Sequence, residues 1–177
     1  MPRRRLGVAL LVPPPVATEI DGLRRALGDG ALGRIPTHLT LVPPVNVPAE
    51  ALPDALDVLH EAARQTRPLN LRFGPATTFH PETPVVYLAV GGDVDALQDL
   101  RDRVFRRPLE RALTRAFVPH VTVADDVDPA RIPAAVTALA DFVVDVTFDR
   151  VHLLEEGRGR VWRPIADAPF TRRWLPG

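Results

Sequence analysis

Apolar residues alternate with polar ones in several short segments of the chain, and in other segments they recur every three or four residues. Alternation places apolar side chains on one face of a strand, whereas the wider spacing places them on one face of a helix. The pattern predicts the order strand–helix–strand–helix–strand–strand–helix–strand–helix–strand–strand. Because short turns join neighbouring strands, we expect sheets that are at least partly antiparallel and an α+β fold.

Proline and glycine residues, which interrupt helices and strands, mark the ends of the elements in the first part of the chain. Three prolines follow the first apolar run, and proline is tolerated in a helix only near its first turn. The predicted elements are a buried strand over 6–12, a helix over 16–27, a strand over 35–42 closed by Pro43 and Pro44, and a helix that begins at Pro53.

The rest of the chain is predicted from the same two periodicities. Its elements are a half-buried strand over 68–74, a central strand over 85–90, a helix from Asp93 or Asp95 to Val104 with a last turn through Leu113, a strand over 117–124 and a short helix over 132–139. The apolar run over 142–154 changes parity between Phe148 and Val151, which predicts a β-bulge. A turn then leads into a final strand over 160–165.

Two of the predicted strands carry nearly the same sequence, Ile35–Val42 and Phe117–Ala124. In an extended chain His38 and Thr40 share one face, and so do His120 and Thr122, while the apolar residues between them occupy the other. A single His-x-Thr is readily explained as an ordinary strand histidine. Two copies, each after a proline and inside an apolar run, favour a functional pair that supplies an acid, a base and two hydroxyl donors.

The two motif strands also occupy corresponding places in the predicted order, each between helical segments. This arrangement indicates an internal duplication with a pseudo-twofold axis. The remaining histidines fit less well into such a site: His60 is expected on a helix surface, His80 in a loop, and His152 on the solvated side of its strand.

Composition narrows the chemistry. The 177 residues include no cysteine, which excludes disulfides, thiolate nucleophiles and cysteine-ligated zinc. All 22 basic residues are arginine, so a Schiff base, a P-loop lysine and a lysyl-nucleotide intermediate are excluded as well. The absence of lysine is better explained by codon bias than by selection for phosphate binding.

The charge balance limits the partners. Net charge is zero, whereas proteins that clamp long nucleic acids usually carry a basic surplus. We therefore expect an RNA end or a short nucleotide rather than a long duplex. The start of the chain, with Arg3 to Arg5 before an apolar run, imitates a secretory signal, but three prolines follow and no small-residue cleavage site does. A first strand, no membrane span and a cytoplasmic location are expected.

The segments His38–Leu41 and Pro119–Val123 resemble the paired signatures of the 2H phosphoesterase superfamily, in the branch of bacterial 2′-5′ RNA ligase-like proteins, also described as RNA 2′,3′-cyclic phosphodiesterases. The resemblance covers nearly the whole chain. It implies a single bilobal domain over 1–177, in which two pseudo-symmetric lobes, each a small mostly antiparallel sheet with outer helices, surround a central cleft.

The resemblance also implies a reaction. His120 would activate water and His38 would protonate the leaving 3′-oxygen as a 2′,3′-cyclic phosphate opens to a 2′-phosphate, although the two roles can be exchanged. Thr40 and Thr122 would bind the phosphate oxygens. Run backwards with a 5′-hydroxyl, the same groups would form a 2′-5′ bond without ATP. The substrate would be an RNA 3′ end or a small cyclic nucleotide; no cofactor or metal is implied, and a monomer is expected.

Two departures from the family pattern bear on phosphate binding. Residues 42–44 read Val-Pro-Pro where many relatives have Phe-Leu-Gly, and Asp125 and Asp126 stand where many have a phosphate-binding arginine. An aspartate there would repel phosphate, so Arg34 or Arg160 is the candidate to replace that arginine.

Two other functions fit the same residues. A non-catalytic module that binds a nucleotide or an RNA end on this fold is the first, and the aspartate after the second motif is its best support. The second is a metal hydrolase that uses His38, His120, Asp125 and Asp126 as ligands. Threonine is a poor partner in a zinc site, which makes the metal hydrolase the weaker of the two.

Overall fold

The computed structural model of the chain describes residues 2–172. Its strands are β1 (Arg3–Leu11), β2 (His38–Pro48), β3 (Leu69–Thr78), β4 (Val86–Gly92), β5 (His120–Ala124), β6 (Val144–Phe148), β7 (Arg150–Glu156) and β8 (Trp162–Pro169). Its α-helices are α1 (Val16–Ala26), α2 (Leu52–Arg64), α3 (Val94–Val104) and α4 (Ile132–Ala138). Single 3₁₀ turns occur at Ala49–Ala51, Pro129–Arg131 and Arg158–Arg160.

The strands form two four-stranded sheets in the orders β2-β1-β7-β8 and β5-β4-β3-β6. Every neighbouring pair is antiparallel. Each sheet is the centre of one lobe, and we call these the first and the second lobe. The predicted α+β fold with two lobes is confirmed. The assignment of residues 1–177 to one bilobal domain remains a prediction.

The two lobes are related by a pseudo-twofold axis. The motif strands β2 and β5 both lie at the edge of a sheet, next to β1 and β4 respectively. Helix α1, which connects β1 to β2, packs against β5 of the other lobe. In the same way, α3 connects β4 to β5 and packs against β2. Each motif strand is therefore covered by the helix of the opposite lobe.

Alternation along the strands and helical periodicity supply the core. In β1, Leu6, Val8 and Leu10 are at most 1% exposed. Helix α2 buries Ala55 and Leu59 on its predicted apolar side. Buried residues from both lobes join in one continuous apolar cluster. The inward faces are thus filled by aliphatic side chains, which leaves the opposite faces of the motif strands for polar groups.

The first motif strand is longer than predicted. β2 continues through Pro43 and Pro44 to Pro48, so the prediction that these prolines close the strand is wrong. The ladder with β1 shifts register here: Val42 pairs with Val8, whereas Val45 pairs with Leu6. Proline cannot donate to a ladder, but an edge strand with an irregular register tolerates it.

The run over 142–154 forms two strands in different sheets rather than one bulged strand. β6 pairs with β3 in the second lobe, and β7 pairs with β1 and β8 in the first. Asp149 lies between them. The change of parity therefore marks the passage of the chain from one lobe to the other, and the prediction of a β-bulge is wrong. β6 buries Val146 and Phe148, and β7 buries Val151 and Leu153, so the parity changes across the one residue that separates the two strands.

Strand β3 extends past its predicted end at Gly74. It continues to Thr78, with a shift in its register against β4 between Phe73 and Ala76. Gly74 has a φ of +106°, and a Cβ atom added there would lie 1.9 Å from the carbonyl oxygen of Phe142. Glycine therefore permits a close approach that lets the strand pass this irregularity.

Two further boundaries differ from the sequence prediction. Helix α3 ends at Val104, and the segment 105–119 forms bends and turns instead of a last helical turn through Leu113. Pro108 lacks the N–H that such a turn needs, and it is buried Leu109 rather than exposed Leu113 that anchors the segment. The final strand occupies Trp162–Pro169 rather than 160–165, because a 3₁₀ turn takes up the residues just before it.

Helices of the described residues 2–172 are all too short or too polar to cross a lipid bilayer.

Candidate active site

Both His-x-Thr motifs present their polar residues on the face opposite the core. His38 and Thr40 lie on β2, His120 and Thr122 lie on β5, and all four side chains are half-buried. The apolar residues between and after them are at most 1% exposed: Leu39, Leu41, Val121 and Val123. The alternation predicted for each motif is therefore present in the structure.

The two motif strands meet at the junction of the lobes. Cα atoms of β2 and β5 come within 8 Å of each other. The charge of His120 is among the influences that lower the pKa of His38, which indicates that the two imidazoles lie within electrostatic reach. The structure thus brings His38, Thr40, His120 and Thr122 to one region between the lobes.

A backbone carbonyl holds each imidazole at the same ring nitrogen. Nδ1 of His38 lies 2.8 Å from the carbonyl oxygen of Pro36, and Nδ1 of His120 lies 2.7 Å from that of Val118. Because a carbonyl oxygen only accepts hydrogen bonds, Nδ1 is the donor and carries a proton in both rings. In the neutral form the lone pair is therefore on Nε2, and this atom can take up or release a proton.

Cross-strand pairing identifies the neighbours of the motif threonines. Thr40 pairs with Ala9 on β1, and Ala9 pairs in turn with His152 on β7. In the second lobe Thr122 pairs with Tyr87 on β4. Residues that pair directly in antiparallel strands share a face. Small Ala9 and large Tyr87 thus occupy equivalent positions, so the two halves of the site differ in shape.

Aromatic rings surround the second histidine. The rings of Phe79 and Tyr87 stack with centroids 4.0 Å apart. The His120 ring stands nearly perpendicular to that of Phe79 at 5.1 Å, and it meets Tyr87 edge-on at 5.6 Å. Edge-to-face packing of this kind orients a ring without adding a hydrogen bond. Together with the Nδ1 contact, it fixes the direction of Nε2.

A buried ionic network lies behind the first histidine. Arg24 of α1 is 3% exposed and its Nε donates to Asp29 at 2.7 Å. Its Nη1 donates to the carbonyl of Ile35 at 3.0 Å and to the hydroxyl of Thr37 at 3.1 Å. A buried charge pair with further hydrogen bonds constrains the segments that it joins. The network therefore holds the loop that leads directly into His38.

This environment also determines the protonation of His38. Burial lowers its pKa to about 4, and the positive charge of Arg24 acts in the same direction. The hydrogen bond to Pro36 opposes the shift but does not cancel it. At neutral pH the His38 ring is therefore uncharged, with its lone pair on Nε2.

An open pocket of about 130 Å³ adjoins His38 and Thr40. Most of its lining is apolar and includes Gly7, Val42 and Leu154. The ring of Trp162 at the start of β8 lines it as well. The backbone N–H of Trp162 donates to the carbonyl of residue 34 at 2.7 Å, which ties this wall to the loop before β2. The site thus has an apolar compartment on the side of the first lobe.

The side chains of the two predicted arginines make contacts outside the pocket. Nε of Arg34 donates to a backbone carbonyl four residues earlier at 3.2 Å. Arg160, whose side chain is 80% exposed, lies 3.8 Å from Glu156. Arg111, which the sequence did not indicate, donates to the carbonyl of Pro44, a residue that lines the pocket. Substrate-binding roles for Arg34 and Arg160 remain predictions.

The aspartates after the second motif form a local turn. Asp125 and Asp126 are exposed, and the Asp125 carboxylate accepts a hydrogen bond from the backbone N–H of Asp126 at 2.9 Å. Asp126 has a φ of +53°, a conformation that aspartate tolerates better than most residues. Across residues 2–172, no three His, Asp or Glu side chains converge as metal ligands. The metal-hydrolase alternative therefore lacks a ligand cluster in this part of the chain.

His152 is only partly solvated, whereas the sequence predicted a solvated side chain. Its side chain is half-buried, and its Nδ1 atom is hidden from solvent without a hydrogen-bond partner among the described residues. Burial lowers its pKa. The physical reason is that β7 is an inner strand: His152 pairs with Ala9 on β1 and with Asp167 on β8, so side chains of both neighbouring strands flank it on the same face. As predicted, His60 is exposed on the surface of α2 and His80 lies in a turn.

Sequence patterns missed the aromatic residues that shape the site. Tyr87 lies in a strand that is apolar on both faces, so alternation could not show that it faces Thr122. Phe79 and Trp162 come from a loop and from the start of β8. Only the strand register and the fold bring these rings to the two histidines. The one signal available was that large aromatic residues are few, seven Phe, one Tyr and two Trp.

Comparisons with known proteins place the chain in a family. The profile of the 2′-5′ RNA ligase superfamily matches residues 12–160. A Bacillus pumilus protein named "Putative phosphoesterase" is 30% identical over 160 residues, which is 89% of this chain and 92% of that protein. A Bacillus cytotoxicus putative phosphoesterase is 29% identical over 160 residues, with the same coverage.

Solved structures share the fold. Escherichia coli LigT in its apo form superposes with a TM-score of 0.66 at 23% identity, over 97% of this chain and 100% of LigT. LigT in complex with 3′-AMP gives 0.67 at 19% identity with the same coverage. The Thermus thermophilus protein TT0787 gives 0.65 at 22% identity, over 92% of this chain and 96% of that one. Since the profile spans most of the sequence and includes both motifs, the chain belongs to the 2′-5′ RNA ligase superfamily, among the 2H phosphoesterases.

Proposed function

We propose that this protein is a metal-independent phosphodiesterase that opens a 2′,3′-cyclic phosphate, on an RNA 3′ end or a small nucleotide, to a 2′-phosphate. The observation that carries the proposal is the matched pair of imidazoles, His38 and His120. Each has its Nδ1 proton directed at a backbone carbonyl and its Nε2 left for proton exchange. Each is followed by a threonine hydroxyl on the same face of its strand, Thr40 and Thr122.

The reaction needs two proton transfers. The oxygen of water forms a bond to phosphorus while the bond from phosphorus to the 3′-oxygen breaks. A neutral imidazole removes a proton from the water, and a protonated imidazole delivers one to the 3′-oxygen. The products are a 2′-phosphomonoester and a free 3′-hydroxyl. Positioned proton transfer of this kind accelerates a reaction about 10²- to 10⁴-fold.

The protonation of His38 supports one assignment of the roles. With a pKa of about 4, His38 is neutral throughout the physiological range and is suited to be the base. His120 is then the acid. These roles are the reverse of those that the family resemblance implied, in which His120 is the base and His38 the acid.

The threonines would stabilise the phosphorane-like transition state. As water attacks, negative charge grows on the non-bridging oxygens, and hydroxyl donors placed there in advance are worth about a hundredfold or more. The carboxylate of Asp125 is occupied by its own turn and exposed, which reduces the repulsion that the sequence suggested.

Substrate size follows from charge and from relatives. The net charge of zero supports a substrate with few phosphates. E. coli LigT has been crystallised with 3′-AMP, phosphate, ATP and NADP⁺, which are all small. If a 5′-hydroxyl takes the place of water in the reverse direction, the same groups would form a 2′-5′ linkage without ATP.

The decisive experiment is incubation of the purified protein with 2′,3′-cyclic AMP in the presence of a chelator, followed by identification of the product. We expect 2′-AMP. The substitutions His38→Ala and His120→Ala should each lower kcat by about 10²- to 10⁴-fold, because each removes one proton transfer. His60→Ala, on the exposed side of α2, is the matched control and should leave kcat unchanged.

Each other result has a definite meaning. Binding of the nucleotide without turnover would identify a non-catalytic binding module on the same fold. Turnover that survives both histidine substitutions would contradict the proposed site. Turnover that a chelator abolishes would identify a metal-dependent hydrolase instead.

A further inference from the structure

We propose that the pocket beside His38 is a nucleobase subsite in which the base stacks on Trp162. This inference rests on the proposed function and deepens it, because it assigns the base of the nucleotide to one compartment of the site and to one side chain. The phosphate would lie between the two histidines, and the base would enter the apolar compartment of the first lobe.

The position of the pocket connects it to the reacting groups. His38 and Thr40 belong to its lining, so a phosphate that contacts these side chains lies directly beside the pocket. Its volume is about 130 Å³ and it is open to solvent on one side. An open compartment of this kind accepts a flat ring while leaving an exit for the rest of an RNA chain.

Backbone contacts and the neighbouring strand β1 hold Trp162 in its place at the pocket. Its backbone N–H donates to the carbonyl of Arg34, and it pairs with Glu156 at the start of the β7–β8 ladder. Two atoms of its six-membered ring lie next to Gly7, where an added Cβ atom would be 3.5 Å from Cζ3 and 3.9 Å from Cη2. Because Gly7 has no side chain, the ring can lie this close to β1. A ring held in place before binding loses little entropy when a base stacks on it.

The chemistry of the lining favours stacking over reading of the base edge. Apart from His38 and Thr40, the pocket side chains are apolar, among them Val42, Pro44 and Leu154. Amide and carboxylate side chains, which recognise base edges by hydrogen bonds, do not line it. Stacking on an aromatic ring tolerates every base, and its strength increases with ring area. All four bases should therefore bind, with purines favoured over pyrimidines.

The test compares substrates with and without a base. The substrates are 2′,3′-cyclic AMP, 2′,3′-cyclic CMP and glycerol 1,2-cyclic phosphate, which carries the cyclic diester alone. Trp162→Ala should raise KM for cyclic AMP about 10- to 100-fold and change kcat little, because the loss is in binding. Trp162→Phe should restore most of the affinity. Turnover of the glycerol compound should not change in either variant.

A matched control and a binding measurement complete the test. Ile165 is an exposed residue of the same strand, and Ile165→Ala should leave KM and kcat unchanged for all three substrates. In a Trp174→Phe variant, Trp162 is the one remaining tryptophan of the chain. Its fluorescence should be quenched by 2′-AMP and not by inorganic phosphate.

The outcomes separate this inference from the proposed function. If the wild type turns over all three compounds with equal kcat/KM and Trp162→Ala changes nothing, the subsite is refuted while the phosphodiesterase stands. If none of the compounds is turned over, the proposed function fails, and the fluorescence titration decides the subsite alone. Absence of quenching by 2′-AMP would then overturn it.

Discussion

His38 and His120 occupy equivalent places in the two lobes but have different surroundings. His38 lies in front of the buried guanidinium of Arg24, whereas His120 is bounded by the rings of Phe79 and Tyr87. A nearby cation disfavours the protonated imidazole. Burial lowers the pKa of His38 most and the Arg24 charge adds to this effect, so His38 is kept neutral, which is the state that a base requires.

The pH dependence of kcat/KM tests this difference. The profile reports the groups of the free enzyme, and a base must be neutral to act. Since His38 has a pKa of about 4, the acid limb should fall near pH 4 rather than near the ordinary imidazole value of about 6.5. The measurement is initial rates with 2′,3′-cyclic AMP between about pH 3.5 and 8, on the order of ten points. Circular dichroism at each pH shows that the protein is still folded.

His152→Gln is the matched control for this profile. His152 is also half-buried with a lowered pKa, but it is separated from Thr40 by Ala9. Its removal should leave the acid limb in place. An acid limb near the ordinary imidazole value of about 6.5, or a rate that rises steadily as the pH falls towards about 4, would show that His38 is not the base.

At this scale the sequence predicts the polar residues of the site but not their neighbours. Period-two alternation is a local property, so the pairing of a histidine with a threonine on one face is visible within a few residues. The contacts of Tyr87 with His120 and of Trp162 with the pocket depend on strand register and on chain segments far apart. The burial of His152 was missed for the same reason, since it follows from the strands on either side.

At the scale of the elements, the path of strand β3 depends on one glycine, Gly74. Gly74 has a positive φ, and a side chain there would collide with the carbonyl of Phe142. Gly74→Ala should lower the free energy of unfolding by more than about 3 kcal/mol, because both the backbone conformation and the close contact are lost. Urea denaturation followed by circular dichroism measures this change.

Gly28→Ala is the control for Gly74→Ala. Gly28 also has a positive φ, +72°, but no atom lies within 4 Å of the position that a Cβ would take. This substitution should cost only the conformational strain, about 1 kcal/mol. Equal denaturation midpoints for the two variants would show that the contact with Phe142 does not constrain β3.

The sequence predicts that each helix or strand exists and of which type it is, but it does not predict which strands pair with one another. Hydrophobic periodicity locates the strands and helices to within a few residues, since each must bury one face. It does not distinguish a bulge from a change of sheet at Asp149, because both reverse the parity of burial. The prolines of β2 also led to a wrong prediction, namely that the strand ends at Pro43. An edge strand can contain proline where an inner strand cannot, and the sequence does not show that β2 is an edge strand.

For the whole molecule, charge pairing restricts how much nucleic acid can bind. Several surface arginines pair with carboxylates, as in Arg4 with Glu155 at 2.7 Å and Arg150 with Asp167 at 2.8 Å, and the net charge of the chain is zero. Such pairs leave little unbalanced positive potential to attract a long polyanion. Recognition is therefore expected to be confined to the phosphate between the lobes and its immediate neighbour.

If recognition is confined to one or two phosphates, kcat/KM should depend only weakly on salt concentration, and KM only weakly on substrate length. The logarithm of kcat/KM against the logarithm of salt concentration should have a slope of about −0.7 to −1.4, which corresponds to one or two phosphates of a single strand. Extending the substrate from a dinucleotide to an oligonucleotide of about 20 residues should change KM by less than about threefold. Steady-state kinetics between about 50 and 300 mM salt, on the order of five concentrations, measure both. A slope steeper than about −3, or a large gain with length, would reveal a longer binding track.

The order of the strands along the chain has a consequence for biosynthesis. The second sheet is built from one continuous stretch, β3 to β6, whereas the first combines β1 and β2 with β7 and β8. A ribosome that adds about 5–20 residues per second releases the complete second sheet while the first still lacks half of its strands. For a period on the order of ten seconds, β1 and β2 are therefore present without β7 and β8, the strands that complete their sheet. Chaperone binding to nascent chains should therefore be strongest before β7 emerges. The proposed hydrolytic activity should appear only after β8 has been released.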